Sequence, residues 1–139
     1  MEITVIDGQG GKIGRAIIEE IRKKNSEVII RAVGTNTLAT AAMLKAGADI
    51  GATGENPIRV AARETDYIIG PVGILVADSM HGEITPAMAV AIAQSRAAKI
   101  LLPMKKCINV IGVRDASLTD YIKMAIEELE RTIEENSIN

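Results

Sequence analysis

Short β-branched runs alternate along this chain with stretches whose apolar residues recur every three or four positions. Ile3 to Ile6 is such a run, ended by Asp7 and glycines, and Ile13, Ala16, Ile17 and Ile21 then follow at helical spacing. Val28 to Val33 is a second run, closed by Gly34. Asn36 is placed to cap a helix carrying Leu38, Ala41, Ala42 and Leu44 up to Gly47. Asn56-Pro57 reads as another helix start, because Asn accepts from free backbone donors and Pro fits a first helical position that needs no N–H; that helix is expected to reach about Glu64. Tyr67 to Ile69 is a third strand, stopped by Gly70-Pro71. Thr85-Pro86 repeats the cap-plus-proline signal for a helix through about Gln94, and Lys99 to Leu102 is a strand ended at Pro103.

Ile108 to Val113 is the last strand expected. From Ser117, which with Asp120 resembles a capping box, Leu118, Ile122, Ala125, Leu129 and Ile133 form a stripe on a long helix to about residue 135, with Asn136 to Asn139 expected to fray. The segments from Gly47 to Gly54 and from Val72 to Ala77 have no decisive period. Alternating strands and helices with short links imply an α/β fold: one doubly wound, mostly parallel, Rossmann-like sheet with helices on both faces, in a single domain over residues 1–139.

Composition narrows the chemistry. The hydrophobic fraction of 47% is ample for a core, yet Phe and Trp are absent, so packing rests on Ile, Val, Leu, Ala and Met. A formal net charge of −2, spread along the chain and without aromatic platforms, lacks the footprint of a nucleic-acid binder. A single cysteine, Cys107, excludes an intrachain disulfide and paired-cysteine metal sites, and a single histidine excludes a histidine-rich metal centre. The start of the chain has no basic segment followed by a long apolar run, and no span of about 18 apolar residues occurs anywhere. The expected setting is therefore cytoplasmic, with no membrane partner.

The candidate chemistry lies in the first turn. In Asp7-Gly8-Gln9-Gly10-Gly11-Lys12-Ile13-Gly14 the glycines allow a sharp reversal and let a phosphate approach backbone N–H groups at a helix start. The dinucleotide fingerprint is matched only loosely, because Ile13 stands where the third glycine belongs and that glycine arrives at Gly14. About 20 residues on, where an acid would hold ribose hydroxyls, Gly34-Thr35-Asn36 offers no carboxylate, which disfavours plain NAD and favours a phosphorylated ribose such as that of NADP, or another nucleotide. Asp7 would repel a phosphate unless its side chain is turned away, hydrogen-bonded or bridged by a cation. A P-loop is excluded because Gly11-Lys12 is followed by Ile13. The plain alternative is that the glycines only make a tight connection.

The segments Ile6-Asp7-Gly8-Gln9-Gly10-Gly11 with Ile13-Gly14, Gly34-Thr35-Asn36, Gly51 to Asn56 and Gly82 to Pro86 resemble a family of small bacterial proteins of unknown function. The resemblance spans roughly residues 1 to 115. It implies a Rossmann-like domain without an assigned activity.

Ligands in open α/β sheets sit beyond the carboxyl ends of the strands. That rule selects Gly8, Gln9, Gly10, Gly11, Lys12 and Ile13, then Gly34, Thr35 and Asn36, then Thr53, Glu55 and Asn56, and finally Gly70, Pro71 and Gly73, with the Pro103 to Cys107 segment on the same rim. Glu55 could accept from ribose hydroxyls or serve the helix dipole. His81, flanked by Asp78 and Glu83, could form an acid/base pair or be an exposed loop histidine. Cys107 beside Lys105-Lys106 could be an activated thiol or buried filler. The apolar stripe of the last helix is covered by the sheet or by a second copy in a homodimer. The expectation is a nucleotide- or dinucleotide-binding domain with no assignable catalytic residue; the alternatives are a non-enzymatic regulatory module, or a small hydrolase or transferase acting on a sugar nucleotide or phosphate ester.

Overall fold

The computed structural model describes residues 1–104 and 108–138. Five parallel strands, β1 (Glu2–Asp7), β2 (Ile29–Gly34), β3 (Ile50–Thr53), β4 (Tyr67–Pro71) and β5 (Ala98–Leu102), form one sheet in the order β3-β2-β1-β4-β5. The helices are α1 (Lys12–Lys24), α2 (Thr37–Lys45), α3 (Glu55–Glu64), α4 (Pro86–Gln94) and α5 (Leu118–Ile138), with a 3₁₀ turn over Val72–Leu75. This is the expected α/β, doubly wound arrangement.

β1 lies at the centre, and Ile3 to Asp7 are all buried. Its alternate side chains therefore serve two cores. Ile3 and Val5 pack with Ile17, Ile18 and Ile21 of α1, Met43 of α2, and Ile122, Ile126 and Leu129 of α5. Ile6, on the opposite face, packs with Ile58 of α3, Ile74, Ile84, and Met88 and Ile92 of α4. The α5 stripe is thus covered within the chain, through Tyr121, Ile122, Ala125, Ile126 and Leu129.

Local signals account for most boundaries. Asn36 accepts from Ala39 N–H and Thr85 from Met88 N–H, as N-caps do. α3 starts two residues earlier than Asn56-Pro57 suggests: Gly54 is its N-cap, and Pro57 still falls in the first turn, where no N–H is needed. The ambiguous Gly47 to Gly54 segment supplies β3.

Two expectations need correction. Ile108 to Val113 forms no strand; Val113 N–H closes a turn onto Val110 O, Gly112 has φ 92°, and Ile111 is 95% exposed. At the other end, α5 continues to Ile138, and Asn136, expected to fray, donates to the Tyr67 hydroxyl at 2.9 Å. No helix among the described residues is long and apolar enough to cross a membrane.

Candidate functional site

β1, β2 and β3 end in line, since Asp7 is in register with Gly34 and Gly34 with Thr53. The sheet order reverses between β1 and β4, so the crevice typical of such sheets opens where the β1–α1 turn leaves Asp7. Gly11 N–H bonds back to Gly8 O at 2.9 Å, and the turn runs through left-handed backbone at Gln9 (φ 50°) and Gly11 (φ 72°).

The four glycines of this turn do different work. A Cβ on Gly11 would lie 2.8 Å from the Ala39 backbone of α2; one on Gly8 would lie 2.6 Å from Met80 Sδ and 2.7 Å from Thr35 Oγ1; one on Gly14 would run into Met43. At all three an added Cβ meets protein, fixed backbone at Gly11 and side chains at Gly8 and Gly14. Gly10 is different: its φ is not left-handed, it is exposed, and a Cβ there would meet nothing within 4 Å. Nothing in the fold of the chain asks for glycine at that position.

The backbone donors of the turn are divided between two carboxylates. Asp7, 4% exposed, accepts from Gly8 N–H at 2.8 Å and from Gly14 N–H at 2.7 Å, so it closes off the α1 terminus from within. Burial pushes its carboxyl above the ordinary 3.8, against the N–H groups of Gly14, Gly8 and Ile13 that pull it down, and the Glu83 charge adds to the rise. Asp7 thus satisfies the sequence-based condition that it be hydrogen-bonded. It also takes the helix-axis position from any phosphate.

Glu83 occupies the outer face. Its Oε1 accepts from Gln9 N–H at 2.9 Å, Thr35 Oγ1–H at 2.6 Å and Asn36 Nδ2–H at 2.7 Å. Burial would raise its pKa, but these three bonds, helped by the charge of His81, outweigh it and hold the carboxyl below its ordinary value. Among the described residues no donor reaches Glu83 Oε2, and no acceptor reaches Gly10 N–H or Lys12 N–H. Asn36 Nδ2 also donates to Gln9 O, which ties the end of β2 to the turn.

Glu83 is delivered by a strained loop. Asp78, Met80, His81 and Gly82 all have φ between 56° and 90°, Ser79 Oγ–H donates to Gly73 O, and Asp78 N–H to Ile84 O. The loop lays Met80 over Gly8. His81 is exposed and, among the described residues, bonds to neither Asp78 nor Glu83.

The structure therefore gathers Gly8 to Lys12 with Thr35 and Asn36. Thr53 bonds Thr40 at 2.7 Å, and Glu55 accepts from Thr85, which links the starts of α3 and α4. Gly34, Gly70, Pro71 and Gly73 are buried against protein. The sequence places Glu83 beside His81 and within the Gly82 to Pro86 segment of the family resemblance, without a binding role, and singles out Met80 for nothing. No local signal marks Glu83, which is 74 residues from its partner Gln9. Lys105, Lys106 and Cys107 lie outside the described residues, so the thiol expectation falls there too. Among the described residues no group of three or more His, Cys, Asp or Glu is placed to hold a metal ion.

A separate groove of about 870 Å³ runs between β5 and α5, lined by Ile100, Leu102, Tyr121 and Met124 among others, and does not include the turn.

Comparison with known proteins adds the following. A family model described as a domain of unknown function (DUF3842) matches residues 2–134. No curated protein matches. Among solved structures, the chain is similar to a dodecameric FMN-dependent UbiX-like decarboxylase from Escherichia coli O157:H7, with 13% identity, 96% of this chain and 94% of that chain covered, and a TM-score of 0.45.

Proposed function

The chain belongs to the DUF3842 family, and within that family we propose that it binds a phosphate-bearing, nucleotide-type small molecule above the β1–α1 turn. The observation that carries this reading is Gly10. Packing accounts for Gly8, Gly11 and Gly14, while open space beyond Gly10 accounts for its missing side chain only if something outside the chain comes close. The donors on that side, Gly10 N–H and Lys12 N–H, are those that Asp7 does not take, and the Lys12 side chain is exposed. The phosphate consequently sits beside the turn rather than on the α1 axis. Amide, hydroxyl and backbone groups dominate the rim, which suits orienting a ligand better than breaking a bond.

Isothermal calorimetry against NAD, NADP, ATP, GTP and sugar nucleotides tests the proposal. At least one compound binds the wild type, and Gly10→Val weakens it by about tenfold or more by filling the approach to the amides, equivalent to ~1.4 kcal/mol. The variant keeps a native circular dichroism spectrum, because the Cβ position at Gly10 is open and the backbone there is not left-handed. Undiminished binding by Gly10→Val, or no binding of any compound to the wild type, removes the turn as a ligand site.

A further inference from the structure

We propose that Glu83 is the acceptor for the sugar hydroxyls of the ligand, and that it selects a nucleotide whose ribose carries no phosphate. This rests on the nucleotide reading above and adds the ligand's class to it.

In dinucleotide-binding sheets the acidic residue that holds the ribose stands at the end of the second strand. Here that strand ends in Gly34, and Thr35-Asn36 carries no carboxylate. The fold supplies one from another part of the chain. Thr35 Oγ1 and Asn36 Nδ2 both donate to Glu83 Oε1, so the carboxylate is pinned to the tip of β2. The third donor, Gln9 N–H, fixes it against the glycine turn, and a Cβ on Gly8 would stand 3.3 Å from the same oxygen.

Three donors on one oxygen leave the other with an acceptor's full capacity. An ionised carboxylate takes only donors, so Oε2 suits a hydroxyl pair and repels a phosphate dianion. Neither Lys nor Arg donates to Glu83 among the described residues, and His81, whose charge acts on Glu83, makes no hydrogen bond to it, so no bonded cation offsets the repulsion of a ribose phosphate there. The preference for a phosphorylated ribose, which followed from the absence of an acid at residues 34 to 36, is reversed by this placement. Direct plugging of the turn by Glu83, as an internal anion that any phosphate must displace, is the competing role, and it predicts the opposite response to mutation.

The probes are NAD and NADP, which differ only by the phosphate on the ribose, measured by calorimetry. Wild type binds NAD about tenfold or more tightly than NADP, an arm that requires no variant. Glu83→Gln weakens NAD by about tenfold through loss of charge-assisted bonds, and brings the two affinities within about threefold of each other. Thermal unfolding in parallel shows whether the variant remains folded; if it does not, the wild-type ratio alone decides. Wild-type preference for NADP overturns the proposal, as does an unchanged ratio in a folded Glu83→Gln. Tighter binding of both compounds by Glu83→Gln identifies a plug and also overturns it. Each of these results leaves the turn as the binding site, whereas no binding of either probe, or binding indifferent to Gly10→Val, defeats the underlying reading and this one with it.

Discussion

Gly11→Ala lowers the stability of the protein by about 2–4 kcal/mol, combining the cost of a non-glycine residue in left-handed backbone with that of overpacking. Gly11 has φ 72° and is the N-cap of α1, and an added methyl would lie 2.8 Å from both Cα and O of Ala39. Those atoms belong to the first turn of α2, whose start is held by Asn36. They cannot rotate away as a side-chain tip could, so relief requires α1 and α2 to separate, and the two helices share the core formed with Ile17, Ile18 and Met43. A loss of this size is a large part of the ~5–15 kcal/mol available to an ordinary domain. The neighbouring Gly10→Ala is the internal control, with an expected change within ~0.5 kcal/mol because its methyl stands in solvent. Urea unfolding of the two variants beside wild type reads the difference directly. Equal midpoints would show that α2 does not press on the turn as described, and would remove the distinction between packing glycines and the open one.

That distinction marks how far the sequence could be read. Four glycines in seven residues were visible as a candidate anion turn, and the backbone geometry at Gly11 is what such a run exists to permit. Which glycine faces outward depends on where α2 and Met80 arrive, and no spacing rule contains that. Glu83 is the stronger case. Its meaning comes from Thr35, Asn36 and Gln9, each 47 or more residues away, brought together only when the loop before α4 folds over the ends of β1 and β2.

The fold was more legible where the determinants were local. Asn36 and Thr85 cap their helices with their own side chains, so the boundary is written in the residue that makes it. Asn56 carried the same signal, yet Gly54 took the cap one residue before Glu55, showing that a cap-forming side chain permits a boundary without fixing it. Ile108 to Val113 failed for the converse reason. β-branched content describes a fit to a pleated, half-buried surface, and that surface has to be provided by a neighbour. Among the described residues β5 pairs only with β4, and the later segment turns on Gly112 instead of extending alongside it.

Asp7→Ala is the second large effect, a loss of about 2–4 kcal/mol, because the buried Gly8 and Gly14 N–H groups both lose their acceptor and each unsatisfied donor costs about 1–3 kcal/mol. Part of that loss is offset by relief of the carboxylate's own desolvation, which sets the total below the simple sum. The pH dependence follows from the direction of the Asp7 shift. Its folded pKa lies above 3.8, so the unfolded chain ionises first as pH rises, and folding is opposed by the penalty of burying the charge. The stabilising contribution of Asp7 is therefore complete below pH 3.8 and diminishes as pH climbs through the elevated folded value, after which it is constant. Asp7→Asn isolates this behaviour, since its amide cannot ionise and its single acceptor oxygen can serve only one end of the pair of donors. The stability of wild type relative to Asp7→Asn, measured by urea unfolding from pH 3 to pH 8, is expected to be greatest at the acidic end and to shrink toward neutrality. A gap that instead widens with pH would mean that the N–H groups of Gly14, Gly8 and Ile13 outweigh burial. The α1 terminus would then favour the ionised Asp7 carboxylate, which would hold the helix-axis position against a phosphate more firmly still.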